Sequence, residues 1–168
     1  MVFETSSDII DGVPRNSMIL VQTNTLGYGT NGVLQRLSKE YPQMFNEYHG
    51  FCGWFKDRKY QEEVIGSTMS LKFPEKDKNF GKIVACCFAL RWITQTKSEL
   101  CLDAWDKIAR KVAKQTIANH HATGTMYQIH IPKRIGFGLT EIEQEEVRDV
   151  LNFVFKTKYP EVDLYYHI

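Results

Sequence analysis

Short apolar runs alternate along the chain with stretches in which apolar residues recur every three or four positions. The runs at 18–21 and 82–92 predict buried strands, and residues 83–90 are almost continuously apolar, as expected of a central strand covered on both faces. Residues 127–131 alternate between apolar and polar side chains, which also predicts a strand. Weaker patterns predict three further strands, at residues 1–5, 64–73 and 162–168.

Helical spacing of apolar residues predicts three helices, at residues 31–39, 99–119 and 141–156. The first of these stops near Tyr41 and Pro42, because proline cannot continue a helix. The aromatic-rich segment at 43–60 predicts a short helix followed by irregular structure. Strands that alternate with helices predict an α/β domain with a mixed sheet between two helical layers.

The chain runs twice from an apolar strand through a glycine loop into a helix, at residues 18–37 and 127–155. Glycines let the backbone turn tightly and approach a ligand, and a helix N-terminus offers unpaired N–H groups to phosphate. If both strands are central, the two loops share one edge of the sheet and together suit a diphosphate. The alternative is that the glycines serve only tight turns. Their spacing fits neither the Gly-x-Gly-x-x-Gly dinucleotide motif nor a P-loop.

Composition narrows the classes of function. The 168 residues suit one domain, and 21 basic against 20 acidic residues give a net charge of +1, which predicts no strong nucleic-acid patch and no attraction to an anionic membrane. The longest apolar run is too short to span a bilayer and no leader is evident, so we expect a cytoplasmic location without a membrane partner. The cysteines form no Cys-x-x-Cys pair, and His120 and His121 lack a third ligand, so no metal is expected.

Both ends of the sequence resemble the macro domains, which are ADP-ribose-binding modules. Near the carboxyl end, the resemblance rests on Arg-Ile-Gly-Phe-Gly-Leu at 134–139, on a helix containing Glu-Glu-Val and on the ending Leu-Tyr-Tyr-His-Ile. Near the start it rests on Ile-Leu-Val-Gln-Thr-Asn, the glycines and the helix that runs to Tyr-Pro. The nearest subclass comprises small terminal ADP-ribose hydrolases and ADP-ribose-1″-phosphate phosphatases. The resemblance implies a single three-layer α/β/α macro domain over 1–168, with a diverged or inserted segment at about 43–80.

The resemblance also implies roles for individual residues. Asp8 matches an aspartate that accepts a hydrogen bond from the adenine amino group, Asn24 lies near a residue that faces the distal ribose, and Tyr166 matches an aromatic near the adenine. The first loop would surround the distal ribose and one phosphate, and the second would hold the diphosphate. The implied ligand-binding residues are Asp8, Ile9, Asn24, Gly29, Thr30, Asn31, Gly32, Val33, Ile135, Gly136, Phe137, Gly138, Leu139, Thr140 and Tyr166.

The catalytic residue of the hydrolases has no direct match in this sequence. Thr140 stands where those hydrolases have an aspartate, and threonine alone is no general base at neutral pH. Glu143, three residues further on, is therefore the predicted catalytic carboxylate. The alternative is that the acids in the first turns of this helix only stabilise its dipole. Two functions follow: hydrolysis of a bond at C1″ of the distal ribose, or non-catalytic binding of ADP-ribose or a related signalling nucleotide. The expected partner is ADP-ribose or an ADP-ribosylated substrate, with no cofactor.

Overall fold

The computed structural model describes residues 1–29, 32–94, 96–136 and 139–168. Four of the predicted ligand-binding residues, Thr30, Asn31, Phe137 and Gly138, lie outside the described residues. The strands are β1 (Val2–Thr5), β2 (Ser17–Thr23), β3 (Thr68–Lys72), β4 (Ile83–Phe88), β5 (Leu90–Thr94), β6 (Lys97–Leu100), β7 (Gln128–Ile131) and β8 (Leu164–His167).

Six of these strands form one mixed sheet in the order β1-β8-β7-β2-β4-β3. All neighbouring pairs are parallel except β3 and β4, which are antiparallel, so that β3 closes one edge of the sheet. β2 lies in the interior between β7 and β4, and six of its seven residues are buried. This placement explains its apolar sequence, because both of its faces are covered.

Helices cover both faces of the sheet. The helices are α1 (Gly32–Glu40), α2 (Pro42–Gly53), α3 (Leu102–Thr123) and α4 (Glu141–Phe153), with a 3₁₀ turn at Arg58–Glu63 and a π-helical turn at Val154–Lys158. Leu20 of β2 packs with α3 and α4, whereas its neighbours Ile19 and Val21 pack with α1 and α2. Alternate residues of one strand therefore enter two separate cores. This confirms the predicted three-layer α/β/α architecture with a mixed central sheet.

The apolar run predicted as one strand at 82–92 is in fact two strands. β4 ends at Phe88, and β5 then leaves the main sheet to pair with β6 in a two-stranded antiparallel sheet. The Ala89 carbonyl accepts a hydrogen bond from the Cys101 N–H at 2.9 Å, which fixes the point of departure. The pattern hid this break because Leu90 is also buried. Residues 97–100, partly assigned to a helix from the sequence, form β6, and α3 begins at Leu102.

The cysteines are free thiols in this fold. Cys52, Cys86 and Cys87 are buried and Cys101 is half-buried. Within the described ranges, no group of three His, Cys, Asp or Glu side chains is arranged to hold a metal ion. None of the described helices has the length and apolar character needed to cross a bilayer.

Candidate ligand-binding site

The two glycine loops lie side by side at one edge of the sheet. β2 and β7 are parallel neighbours, in register from Ser17 opposite Gln128 to Ile19 opposite His130. The pairing resumes beyond the end of β7, where the Gln22 N–H donates to the Ile135 carbonyl at 3.1 Å. Because parallel strands end at the same edge, the loops that follow β2 and β7 face each other. This confirms the prediction that both loops share one edge.

A cavity of about 610 Å³ lies between these loops. Its walls come from the end of β2, the start of α1, one residue of α2 and the segment that joins β7 to α4. The described residues that line it are Val21, Gln22, Thr23, Asn24, Tyr28, Gly32, Val33, Leu34, Tyr48, Leu90, Pro132, Arg134, Ile135, Gly136, Leu139 and Thr140. This volume lies within the roughly 300–1,000 Å³ typical of small-molecule sites.

Seven of the residues predicted to bind ligand line this cavity: Asn24, Gly32, Val33, Ile135, Gly136, Leu139 and Thr140. Asn24 is held by its own loop, since its Oδ1 accepts the Leu26 N–H at 2.9 Å and its Nδ2 donates to Ser98 Oγ at 3.3 Å. Gly29 lies beside the cavity wall and packs against Phe45. Asp8, Ile9, Glu143 and Tyr166 are not among the lining residues.

Two glycines are required by close packing. A Cβ atom added at Gly136 would lie 2.6 Å from Cβ of Gln22 and 3.2 Å from the Gln22 carbonyl oxygen. A Cβ atom at Gly29 would lie 2.4 Å from a ring carbon of Phe45. Distances below 3.0 Å are not compatible with normal packing, so any side chain at either position must displace its neighbour. Both loops therefore depend on glycine where their backbones approach other parts of the chain.

Asp8 lies in the turn that follows β1, and its carboxylate is held by several donors. Its Oδ1 accepts the N–H groups of Ile10 and Asp11 at 2.9 and 2.7 Å, and Arg36 of α1 donates to both carboxylate oxygens at 2.9 Å. Burial raises the pKa of Asp8, but these hydrogen bonds outweigh burial and lower the pKa to about 2. Asp8 is therefore ionised at neutral pH and fixed against α1.

Tyr166 lies in β8, two strands away from β2, under the C-terminal half of α4. Its hydroxyl donates to Asn152 Oδ1 at 3.3 Å, and the Arg148 guanidinium lies 4.9 Å from the ring centre. The side chain is buried, and burial raises its pKa. Contacts with α4 therefore account for the position of Tyr166 in this structure.

Glu143 and Thr140 form a capping box at the start of α4. The Thr140 hydroxyl accepts the Glu143 N–H at 3.1 Å, and the Glu143 carboxylate accepts the Thr140 N–H at 3.1 Å. Each side chain thereby satisfies a backbone donor that the helix leaves unpaired. The Glu143 carboxylate is thus hydrogen-bonded to Thr140, a residue of the cavity wall. In this structure it caps the N-terminus of α4.

Three further residues of the cavity wall, Gln22, Tyr28 and Arg134, were not among the predicted ligand-binding residues. Gln22 is 3% exposed, and its Oε1 accepts the indole N–H of Trp105, which lies in α3. Tyr28 lines the cavity although 60% of its surface is exposed. Arg134 is an exposed cation in the wall. A glutamine within the apolar stretch of β2 was the available signal, because a buried polar group needs a partner or a ligand.

No family model matches the sequence, and no curated protein matches it either. Solved structures match nearly the whole chain. A macrodomain protein from Streptomyces coelicolor has 15% sequence identity and a TM-score of 0.67, with 100% of this chain and 99% of that chain covered. The chain has the macrodomain fold.

Two further solved structures agree with this fold. The macrodomain of Mycobacterium tuberculosis DarG has 18% identity and a TM-score of 0.65, with 100% of this chain and 98% of that chain covered. Thermosipho africanus DarTG, solved in complex with ADP-ribose, has 16% identity and a TM-score of 0.57, and the match covers 92% of this chain but only 39% of that one. At these identities the likeness establishes the fold, as the resemblance in the sequence predicted.

Proposed function

We propose that this macrodomain binds ADP-ribose or a derivative of it in the cavity between the two glycine loops. The observation that carries this proposal is the convergence of two strand-loop-helix units, from β2 into α1 and from β7 into α4, on one cavity. The N-termini of both helices, at Gly32 and Thr140, contribute to its wall, and such termini favour phosphate. A structure with the same fold, that of Thermosipho africanus DarTG, is a complex with ADP-ribose.

The chemistry of the wall favours binding over catalysis. Among the described lining residues there is no Asp, Glu, His, Lys or Cys, and the one charged side chain is Arg134. General acid–base catalysis at neutral pH is most efficient with a group that titrates near that pH, and the other titratable side chains of the wall are the phenols of Tyr28 and Tyr48. Burial raises the pKa of Tyr48 further from the neutral range. Binding through backbone N–H groups and neutral side chains needs no group that titrates near neutral pH. A non-catalytic module for ADP-ribose or a related signalling nucleotide is therefore the function that the wall supports best.

Hydrolysis at C1″ of the distal ribose is the second candidate, and the capping box is the observation that favours it. Thr140 lines the cavity and donates its N–H to the Glu143 carboxylate at 3.1 Å. From this position Glu143 would orient a water molecule toward C1″ after giving up that hydrogen bond. The water oxygen would bond to C1″ as the bond from C1″ to the carboxylate or phosphate oxygen breaks, which would release ADP-ribose and the free carboxylic acid or inorganic phosphate. This role for Glu143 remains a prediction from the sequence.

Titration calorimetry with ADP-ribose tests the binding proposal. We expect the wild-type chain to bind one ADP-ribose, and we expect Gly136→Glu to weaken binding by at least about tenfold, because the new side chain must enter the space between Gln22 and the cavity. Gly50→Glu is the matched control, since a Cβ atom there meets nothing within 4 Å and the residue lies on the exposed surface of α2. Circular dichroism melting of both variants checks that they fold at the temperature of the titration. Absence of binding to the wild-type chain would refute the proposal.

Turnover is measured separately. Incubation with ADP-ribose-1″-phosphate and with a protein ADP-ribosylated on acidic side chains, followed by chromatography of released ADP-ribose, separates the two candidates. Binding without release supports the non-catalytic module. Release that Glu143→Gln abolishes, with ADP-ribose affinity unchanged, supports hydrolysis through Glu143.

A further inference from the structure

Two polar side chains of the cavity wall, Asn24 and Thr140, each have an oxygen that already accepts a hydrogen bond from the backbone. The Oδ1 atom of Asn24 accepts the Leu26 N–H, and the Thr140 hydroxyl oxygen accepts the Glu143 N–H. The Thr140 O–H group donates to no other group within the described ranges. The Thr23 hydroxyl and Asn24 Nδ2, by contrast, already donate at 3.3 Å, to the Cys87 carbonyl and to Ser98 Oγ. The Thr140 O–H is therefore a donor that the wall keeps open to a ligand oxygen.

Gln22 carries a second open donor, and this one is buried. An indole N–H can only donate, so the bond from Trp105 fixes which end of the Gln22 amide is the oxygen. The opposite end is therefore the NH₂ group. This Nε2 atom is buried and has no hydrogen-bond partner in the part of the chain that the structure describes, although Gln22 lines the cavity. A buried donor without a partner is costly, and a ligand oxygen would relieve that cost.

Arg134 adds charge to this set of donors. It is the one charged side chain among the described lining residues, and it is exposed. Its guanidinium makes no ion pair with any described residue. Among the described residues Arg15, Arg58 and Arg148 are also without an ion pair, but none of these three lines the cavity. The donors of Arg134 are therefore free for a ligand, and a guanidinium matches the geometry of phosphate oxygens.

We propose that Arg134 is the specificity-determining residue of the cavity. Its guanidinium pairs with the phosphate groups of the ligand and thereby selects phosphorylated ligands. Gln22 donates a hydrogen bond, without charge, to an oxygen of the same class. This inference rests on the proposed function for the identity of the whole ligand, but it names the chemistry that Arg134 recognises. Because the net charge of the chain is only +1, attraction of an anion to the cavity depends on local groups.

Calorimetry on Arg134→Gln and Lys133→Gln tests this role. Lys133 is the matched control, because it is the adjacent residue, carries the same charge, is exposed and does not line the cavity. We expect Arg134→Gln to weaken ADP-ribose binding by about tenfold and to reduce its dependence on salt, since an ion pair with phosphate is lost. We expect Lys133→Gln to change the affinity by less than about twofold, and Arg134→Lys to fall between the wild-type chain and Arg134→Gln.

Inorganic pyrophosphate, followed by NMR chemical-shift changes, separates failure of this inference from failure of the proposed function. If the wild-type chain binds ADP-ribose and both Gln variants weaken it equally, or leave its salt dependence unchanged, the role of Arg134 is wrong and the proposed function stands. If ADP-ribose does not bind but pyrophosphate binds in a manner that Arg134→Gln removes and Lys133→Gln does not, Arg134 recognises phosphate and the proposed function is wrong. If neither ADP-ribose nor pyrophosphate binds to the wild-type chain, both the role of Arg134 and the proposed function are wrong.

Discussion

At the scale of single residues, glycines limit what the cavity loops tolerate. We expect Gly136→Ala to lower the free energy of unfolding by about 1–3 kcal/mol, because its Cβ meets the Cβ and carbonyl oxygen of Gln22, which belong to a central strand. Gly29→Ala should cost less, since its closest contact is the half-buried ring of Phe45 in α2, with the Leu34 carbonyl oxygen at 3.1 Å, and neither belongs to the central sheet. Urea unfolding of both variants measures the difference.

Gly50→Ala provides the control for these substitutions. Its added Cβ meets nothing within 4 Å in the middle of α2, so the change should stabilise the protein by about 0.5–1 kcal/mol. If Gly136→Ala were as stable as Gly50→Ala, the close approach of the second loop to β2 would not exist in solution.

A buried histidine pair gives the stability of the protein a dependence on pH. His130 Nδ1 lies 3.0 Å from His167 Nε2, His130 Nε2 lies 3.3 Å from Gln128 Oε1, and His167 Nδ1 lies 2.9 Å from the Ser7 carbonyl oxygen. Both rings are therefore held by polar partners. Burial, followed by the nearby His167 and Lys82, lowers the pKa of His130 from 6.5 to about 4.

The sign of the effect follows from this lowered pKa. Below pH 6.5 the unfolded chain binds a proton at residue 130 that the folded chain does not take up until about pH 4. The contribution of neutral His130 is therefore complete above pH 6.5 and is lost as pH falls toward 4, by as much as about 3 kcal/mol. Urea unfolding at a series of pH values measures it, and His130→Gln should flatten the slope between pH 4 and 6.5.

His120→Gln is the control for this titration. His120 lies exposed in the last turn of α3, so the same loss of an imidazole should leave the pH dependence as it is in the wild-type chain. Identical slopes for His130→Gln and the wild-type chain would contradict the lowered pKa of His130.

At the scale of elements, the start of α4 both stabilises the helix and forms part of the cavity wall, because Thr140 is the N-cap residue and also lines the cavity. Thr140→Ala removes the N-cap acceptor of the Glu143 N–H and should cost about 1 kcal/mol of stability. Glu143→Gln keeps a side-chain acceptor for the Thr140 N–H and should cost less, because glutamine also serves in capping boxes. Thermal unfolding of the two variants gives the comparison, and equal losses would contradict the capping roles assigned to Thr140 and Glu143.

The sequence predicted most elements because their patterns reflect local burial. The apolar residues of β2 and the helical spacing of α3 arise from the cores that they enter, and each pattern lies within one element. The break at Ala89 was not predictable in this way, since Leu90 continues the apolar run while the chain changes sheets. β6 was missed because its residues are mostly exposed and it is stabilised by pairing with β5.

In the candidate site, too, features that depend on local sequence were predictable, whereas features that depend on distant residues were not. The two glycine loops were visible in the sequence, because glycine spacing between a strand and a helix is a local pattern. The role of Gln22 was not visible, because its partner Trp105 is 83 positions away in the chain. The ion pair between Asp8 and Arg36 likewise joins the turn after β1 to α1. The sequence pattern did not predict it, because only folding brings these two side chains together.

At the scale of the whole molecule, the fold gives a nearly neutral protein a site for an anion. Net charge is +1, so no long-range field concentrates anions at the surface. Two helix N-termini, Arg134 and open donors instead meet at one edge of a mixed sheet. In this account the macrodomain architecture supplies the site through the parallel pairing of β2 with β7, which brings the two loops together.

A crystal structure of the chain grown with ADP-ribose tests the central claim most directly. The account predicts one ADP-ribose between the two loops, with its phosphates near Arg134 and the start of α4 and with Gly136 against the ligand. ADP-ribose bound elsewhere on the molecule, or a cavity without ligand at a concentration that saturates binding in solution, would contradict the account.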